Sequence, residues 1–190
     1  MLKIGVIGRS WREGETLPPH VLDTAYAVGK GIAEAGAVLV TGGTGGVMEA
    51  SSRGAFEAGG LSIGFLPYAD TEKANPFVTI AFPTGMGTIR NILTARCCDS
   101  LVMIGGGVGT LNEVTIAYDS GVPVVVVEGS TGWADRLRSS IDEGIWMDDR
   151  HVVPLSYAAD PATAVAAALE RALEPRQGSK LSAYTGWAGQ

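Results

Sequence analysis

The residues best able to do chemistry sit in two glycine-rich turns. Thr41 to Glu49 (TGGTGGVME) and Gly105 to Glu113 (GGGVGTLNE) align at an offset of 64 residues, matching Gly42 to Gly106, Gly43 to Gly107, Gly45 to Gly109 and Glu49 to Glu113. Each follows a short apolar run and opens a segment of helical length. Such a turn lets backbone N–H groups reach a ligand with no Cβ in the way, and the helix end adds partial positive charge, so phosphate is the natural guest. The alternative is a tight turn that serves only close packing of strand against helix. Thr110 and Glu113 carry two readings as well. Their T-x-x-E spacing fits a capping box, and it equally fits a hydroxyl and N–H for a phosphate, with Glu113 facing the ligand one turn further in.

Arg90 and Arg96 are the last cations before a 39-residue gap, Cys97 to Asp135, that contains the whole second turn. On a helical wheel Ile89, Ile92, Leu93 and Cys97 form an apolar stripe, with Arg90 and Thr94 beside it and Arg96 inside it. An arginine buried in such a stripe needs an anionic partner, for which Asp99 and Glu113 are the candidates. For Arg90 a solvated helix face is the competing reading. Other chemistries lack their signatures. No lysine follows either glycine turn, which excludes a Walker loop, and neither turn has the GxGxxG spacing of a dinucleotide site. His20 and His151 have no ligands at metal spacing, and Ser10, Ser51 and Ser52 lack a Gly-x-Ser-x-Gly context.

Elements that could hold these turns recur along the chain. Short runs rich in β-branched residues, at 2–7, 37–40, 61–66, 77–82, 100–104, 122–127 and 152–155, read as strands buried on both faces. Segments of helical length lie between most of them, at 21–35, 47–58, 88–98, 111–120, 133–143 and 161–173. The alternation predicts an α/β fold, a doubly wound parallel sheet of about seven strands with helices on both faces, whose ligands sit at the carboxyl ends of the strands. A single domain over 1–173 and a C-terminal tail over 174–190 are expected.

Composition narrows the function classes. Of 190 residues, 46% are apolar and 18% charged, which supports a buried core. A net charge of −6 disfavours nucleic acid and anionic membranes as partners. The longest uncharged stretch, 74–89, contains Pro76 and Pro83 and falls short of a membrane span. The N-terminus shows no export signal, and the adjacent Cys97 and Cys98 fit a reducing cytoplasm.

The register from Arg90 to Glu113 resembles the Lonely Guy family of Rossmann-like proteins, which carry an Arg-Lys pair and, fifteen residues after the arginine, a Pro-Gly-Gly-x-Gly-Thr-x-x-Glu motif. Here Gly105 to Glu113 begins fifteen residues after Arg90. The family's earlier glycine turn is similar to Thr41 to Met48, and its first-strand Gly-Ser loop to Gly8-Arg9-Ser10. The resemblance covers roughly residues 2–127. It implies hydrolysis of the N-glycosidic bond of nucleoside 5′-monophosphates, of the cytokinin ribotide or AMP type. Arg90 and Glu113 would then act at the ribose. Gly8, Ser10, Gly42, Gly43, Gly46, Met48, Asn91, Gly106, Gly107, Gly109 and Thr110 would hold the ligand and its phosphate. Asn91 stands where the family has lysine and Gly105 where it has proline. With the segment Pro83 to Asn91, these features resemble a sister branch containing the molybdenum cofactor carrier protein. That branch implies binding of a pterin phosphate, with molybdenum cofactor as cargo, no required cofactor and no turnover. The family also implies a homodimer. Pyridoxal chemistry gets no support, because no lysine lies near the turns.

Overall fold

The computed structural model describes residues 1–11, 14 and 16–175. Seven parallel strands form one sheet: β1 (Lys3–Gly8), β2 (Val38–Thr41), β3 (Ser62–Leu66), β4 (Ile80–Pro83), β5 (Ser100–Ile104), β6 (Val124–Val127) and β7 (Ser156–Ala158). Their order is β4-β3-β2-β1-β5-β6-β7. Six helices accompany them: α1 (Pro19–Glu34), α2 (Val47–Glu57), α3 (Asn91–Cys97), α4 (Val108–Asp119), α5 (Ala134–Ser140) and α6 (Pro161–Arg171). This is the doubly wound, Rossmann-like sheet expected from the alternating pattern.

Period-two alternation along each strand divides the core into two layers. Ile4, Val6, Leu39, Val102, Ile104, Val125 and Val127 face α1, α2 and α6. Ile7, Val40, Leu101, Met103, Val124 and Val126 face α3, α4 and α5. Because both faces are covered, β5 and β6 are buried throughout, which is why they read as unbroken apolar runs. Helix starts follow local chemistry. Pro19 opens α1, and Pro161 opens α6 behind Asp160, whose carboxylate accepts the N–H of Thr163 at 2.9 Å.

Several boundaries differ from expectation, each for a local reason. The last strand is Ser156–Ala158 and not 152–155. Val152 and Val153 are apolar because they pack against Tyr118 in a loop, and Leu155 joins the second core layer. The fourth strand starts three residues late, since the Asn75 side chain accepts the N–H of Phe77 and donates to the Thr44 carbonyl, holding that stretch in a turn. The helix expected at 133–143 stops at Ser140, before a tight turn closed by an Asp142–Trp146 bridge. The helix expected at 88–98 is a 3-10 turn (Gly87–Arg90) followed by α3. Its wheel is also turned relative to the expectation: Asn91, Thr94, Ala95 and Cys98 point inward, whereas Ile89, Ile92, Arg96 and Cys97 are exposed. Arg96 therefore needs no buried partner, and Asp99 pairs with Lys3 at 2.7 Å. The tail expected over 174–190 lies outside the described residues from 176 onward. Among the described residues no helix is long and apolar enough to cross a membrane.

Helices α1 and α2 meet backbone to backbone. A Cβ on Gly54 would overlap the Tyr26 carbonyl, and one on Gly29 the Ser51 carbonyl. Gly54→Ala gains about 1 kcal/mol of helix propensity, yet it must push the helices apart. A net loss of about 1 to 3 kcal/mol is expected in urea denaturation. An unchanged midpoint would show that the two helices can separate without cost.

Candidate functional site

The strand order reverses direction between β1 and β5, and the loops after these two strands diverge there to leave a crevice. Gly8 at the end of β1, with Arg9 and Ser10 after it, forms one wall, and Gly106 and Gly107 after β5 form the other. The cleft between them measures about 520 Å³, within the usual range for small-molecule sites.

The second glycine turn enters α4 earlier than the capping-box reading requires. Gly107 is the N-cap and Thr110 the third helical residue, and no side chain caps the helix. The T-x-x-E capping box is thus not formed. The N–H groups of Val108, Gly109 and Thr110 have no partner within the helix, as in any first turn. A Cβ on Gly107 or Gly109 would meet nothing within 4 Å, so both positions are open to the cleft. Behind them the turn is fixed: Gly105 and Gly106 have φ of 63° and 106°, the Gly105 N–H donates to Ser130 Oγ at 2.8 Å, and the Gly106 carbonyl accepts the Trp133 N–H at 3.0 Å. This backbone can offer N–H groups and positive potential to an anion.

Arg90 and Glu113 lie together at the cleft, with side chains only 11% and 9% exposed. Arg90 Nη1 is 3.5 Å from Glu113 Oε1 and 3.2 Å from Thr94 Oγ1, while its Nε is buried without a partner. The solvated-face reading of Arg90 fails. Burial pushes the Glu113 carboxyl up to about 7 against the opposing pull of Arg90, and burial likewise lowers the Arg90 guanidinium. Gly42 leaves room for this arrangement, since a Cβ there would overlap the guanidinium.

Asn91 at the start of α3 donates to the Asn112 side chain at 3.0 Å and to the Gly109 carbonyl at 3.3 Å, tying α3 to α4. Of the residues singled out in the sequence, Gly8, Ser10, Met48, Arg90, Asn91, Gly106, Gly107, Gly109, Thr110 and Glu113 line this one cleft. Gly42, Gly43 and Gly46 do not. Gly43 packs against Leu66 and Gly64, and Gly46 against the backbone of Arg9 to Trp11, whose Arg9 carbonyl accepts the first N–H of α2. The first glycine turn is therefore closed by packing while the second is open. The site residues anticipated from the sequence did not include Arg9, Thr88, Val108, Gly132, Trp133 and Arg136, which complete the cleft. Trp133 and Arg136 follow β6, and the rule that sites lie after strands was the available signal.

The chain matches the model of the SLOG cluster4 family over residues 1–164. A protein of Archaeoglobus fulgidus is 42% identical over 135 residues, covering 68% of this chain and 85% of the relative. The structure of the protein TM1055 superposes with a TM-score of 0.83 at 33% identity, covering 90% of this chain and 99% of that one. A molybdenum cofactor carrier protein from Chlamydomonas reinhardtii gives a TM-score of 0.75 at 33% identity, covering 91% and 99%. These matches agree with the resemblance drawn from Arg90 and the Gly105 to Glu113 motif. The chain belongs to the SLOG cluster4 family.

Proposed function

We propose that the cleft binds a phosphorylated, nucleotide-like small molecule, and that the protein serves as a carrier of the molybdenum cofactor, a pterin phosphate. The observation that carries this reading is the uncapped first turn of α4, open at Gly107 and Gly109 and flanked by the buried Arg90–Glu113 pair. Likeness to the Chlamydomonas carrier supports the pterin as cargo. Asn91 supports carriage over turnover, since its amide is occupied in joining α3 to α4 where the hydrolases present lysine.

One observation favours N-glycosidic hydrolysis as a second reading. A carboxyl titrating at about 7 beside a guanidinium can bind or release a proton near neutrality, the property required of a general acid or base. In that reaction the ribose–base C–N bond breaks, water adds to the anomeric carbon and the base departs protonated. The homodimer implied by the resemblance fits exposed Ile89, Ile92 and Val108 near the cleft mouth, and sedimentation velocity should then give twice the chain mass.

Protein made in cells that synthesise the cofactor should carry molybdenum and yield pterin fluorescence after oxidation, and Gly109→Asp should remove both by crowding and like charge. Normal loading of a folded Gly109→Asp protein would overturn the phosphate seat.

Incubation with AMP separates carriage from hydrolysis. Release of adenine that Glu113→Gln slows by ~100-fold or more would establish hydrolysis, whereas intact AMP leaves carriage.

Glu113 also predicts a pH dependence of stability. Its folded-state value of about 7 lies above the ordinary 4.5, so between these values the folded chain holds a proton that the unfolded chain has lost. Its contribution to stability is therefore most favourable below that window and falls as pH rises through it, by up to about 3 kcal/mol. Urea denaturation from pH 4.5 to 8 should show this decline in the wild type and not in Glu113→Gln. Parallel pH profiles would mean that Glu113 ionises normally.

A further inference from the structure

The loop from β6 to α5 is built with more constraint than a connection requires. Thr131 has φ 74°, a left-handed conformation that costs a non-glycine residue energy and persists only when its surroundings enforce it. The Asp135 carboxylate enforces it, accepting the N–H groups of Gly129 at 2.8 Å and Thr131 at 3.0 Å. Ser130 is buried and bridges the Gly105 N–H to the Val127 carbonyl. At Gly132 a Cβ would overlap the Gly106 carbonyl, which accepts the next amide, that of Trp133. The loop is thereby joined to the second glycine turn at Ser130, Gly132 and Trp133.

What these contacts hold in the cleft is one aromatic ring and one cation, Trp133 and Arg136. Trp133 is half-buried, packed partly against the second core layer. Arg136 is exposed, and among the described residues its guanidinium has no carboxylate partner, in a chain with 20 acids and 14 bases. Its exposed neighbour on α5, Arg138, pairs instead with Glu128 at 3.0 Å.

Charge balance gives the unpartnered cation a role. A terminal phosphate monoester carries close to two negative charges at pH 7. The N-terminus of α4 supplies about half a positive charge, the charge of Arg90 is shared with Glu113, and Arg9 is itself partnered. A dianion at α4 lacks a full compensating charge until Arg136 closes on it.

We propose that Trp133 is the stacking platform and Arg136 the closing phosphate contact of this cleft. Its ligand class is accordingly a planar nitrogen heterocycle joined to a terminal phosphate dianion, and a phosphosugar alone binds only part of the site. The proposal rests on the reading of α4 as the phosphate seat.

Calorimetric titration with AMP, neopterin phosphate and ribose 5-phosphate tests it on the full chain. Trp133→Leu should weaken both ring-bearing ligands by ~10-fold or more and leave ribose 5-phosphate within ~2-fold, since stacking acts on the ring alone. Trp133→Phe keeps an aromatic face and should restore most of the affinity, which separates stacking from a packing defect. Arg136→Gln should weaken all three by ~10-fold and flatten the gain in affinity between pH 5 and 7 that follows the second phosphate ionisation. Either preference between AMP and neopterin phosphate supports the proposal and identifies the heterocycle. AMP affinity unchanged in Trp133→Leu, or lost in parallel with ribose 5-phosphate, overturns the platform. Affinity unchanged in Arg136→Gln overturns the closing contact. If Gly109→Asp abolishes binding while both loop residues prove neutral, only this proposal falls. A folded wild type that binds none of the three overturns the phosphate seat and this proposal together.

Discussion

Pairing of β1 with β5, from Ile4 opposite Ser100 to Gly8 opposite Ile104, is the constraint on which the site depends. These strands are neighbours in space yet far apart in sequence, because the chain leaves β1 to build β2, β3 and β4 on one side and then returns to build β5, β6 and β7 on the other. The loops at the carboxyl ends of β1 and β5 consequently run in opposite directions and cannot cover the crevice between them. Gly8 makes the close approach possible, because a Cβ there would collide with the Ile104 carbonyl and the Val47 side chain. The first strand, the glycine turn after β5 and the start of α2 are thus brought to one point by the absence of a single atom.

At that point the structure keeps a charged pair where an apolar pair would cost less. Removing two charges from water is expensive, and a single contact at 3.5 Å, longer than an ordinary charge-assisted hydrogen bond, is not the geometry that fully repays it. The cost shows in the directions in which burial drives both groups, Glu113 up and Arg90 down, each toward its neutral form. Arg90 Nε has no hydrogen-bond partner among the described residues. A pair with an unused donor and a carboxyl that titrates at about 7 is poorly suited to holding a fold together. It is well suited to exchanging a proton or a hydrogen bond with a guest in the cleft.

The layered fold was legible because two-sided burial leaves a simple trace: β5 and β6 are apolar without alternation, and no other arrangement needs that so directly. The open glycine turn was legible for a related reason, since Gly107 and Gly109 are spaced for a helix start after a strand. Its likeness to the first turn was misleading. Gly42, Gly43 and Gly46 satisfy the same pattern with their space already filled by Arg90, Leu66 and the loop after β1, and filling of that kind arises from tertiary contacts that local spacing does not encode. The turned face of α3 has the same origin. Asn91 and Thr94 point inward because Asn112, the Gly109 carbonyl and Arg90 await them there, while Ile89 and Ile92 are left outside. Periodicity finds the stripe and cannot say which side the partner lies on.

Charge is distributed against the average of the chain. The protein carries −6 overall, yet the cleft is bordered by Arg9, Arg90 and Arg136 with Glu113 as its carboxylate, and the N-terminus of α4 adds to the same sign. Fields of this kind are screened within about 8 Å at physiological ionic strength, so they act on what enters the cleft and little on what passes outside. A small phosphate ester spans less than one such length, so on the proposed reading its whole charge lies within reach of these groups, and the choice among compact anions falls to the groups that touch the rest of the molecule.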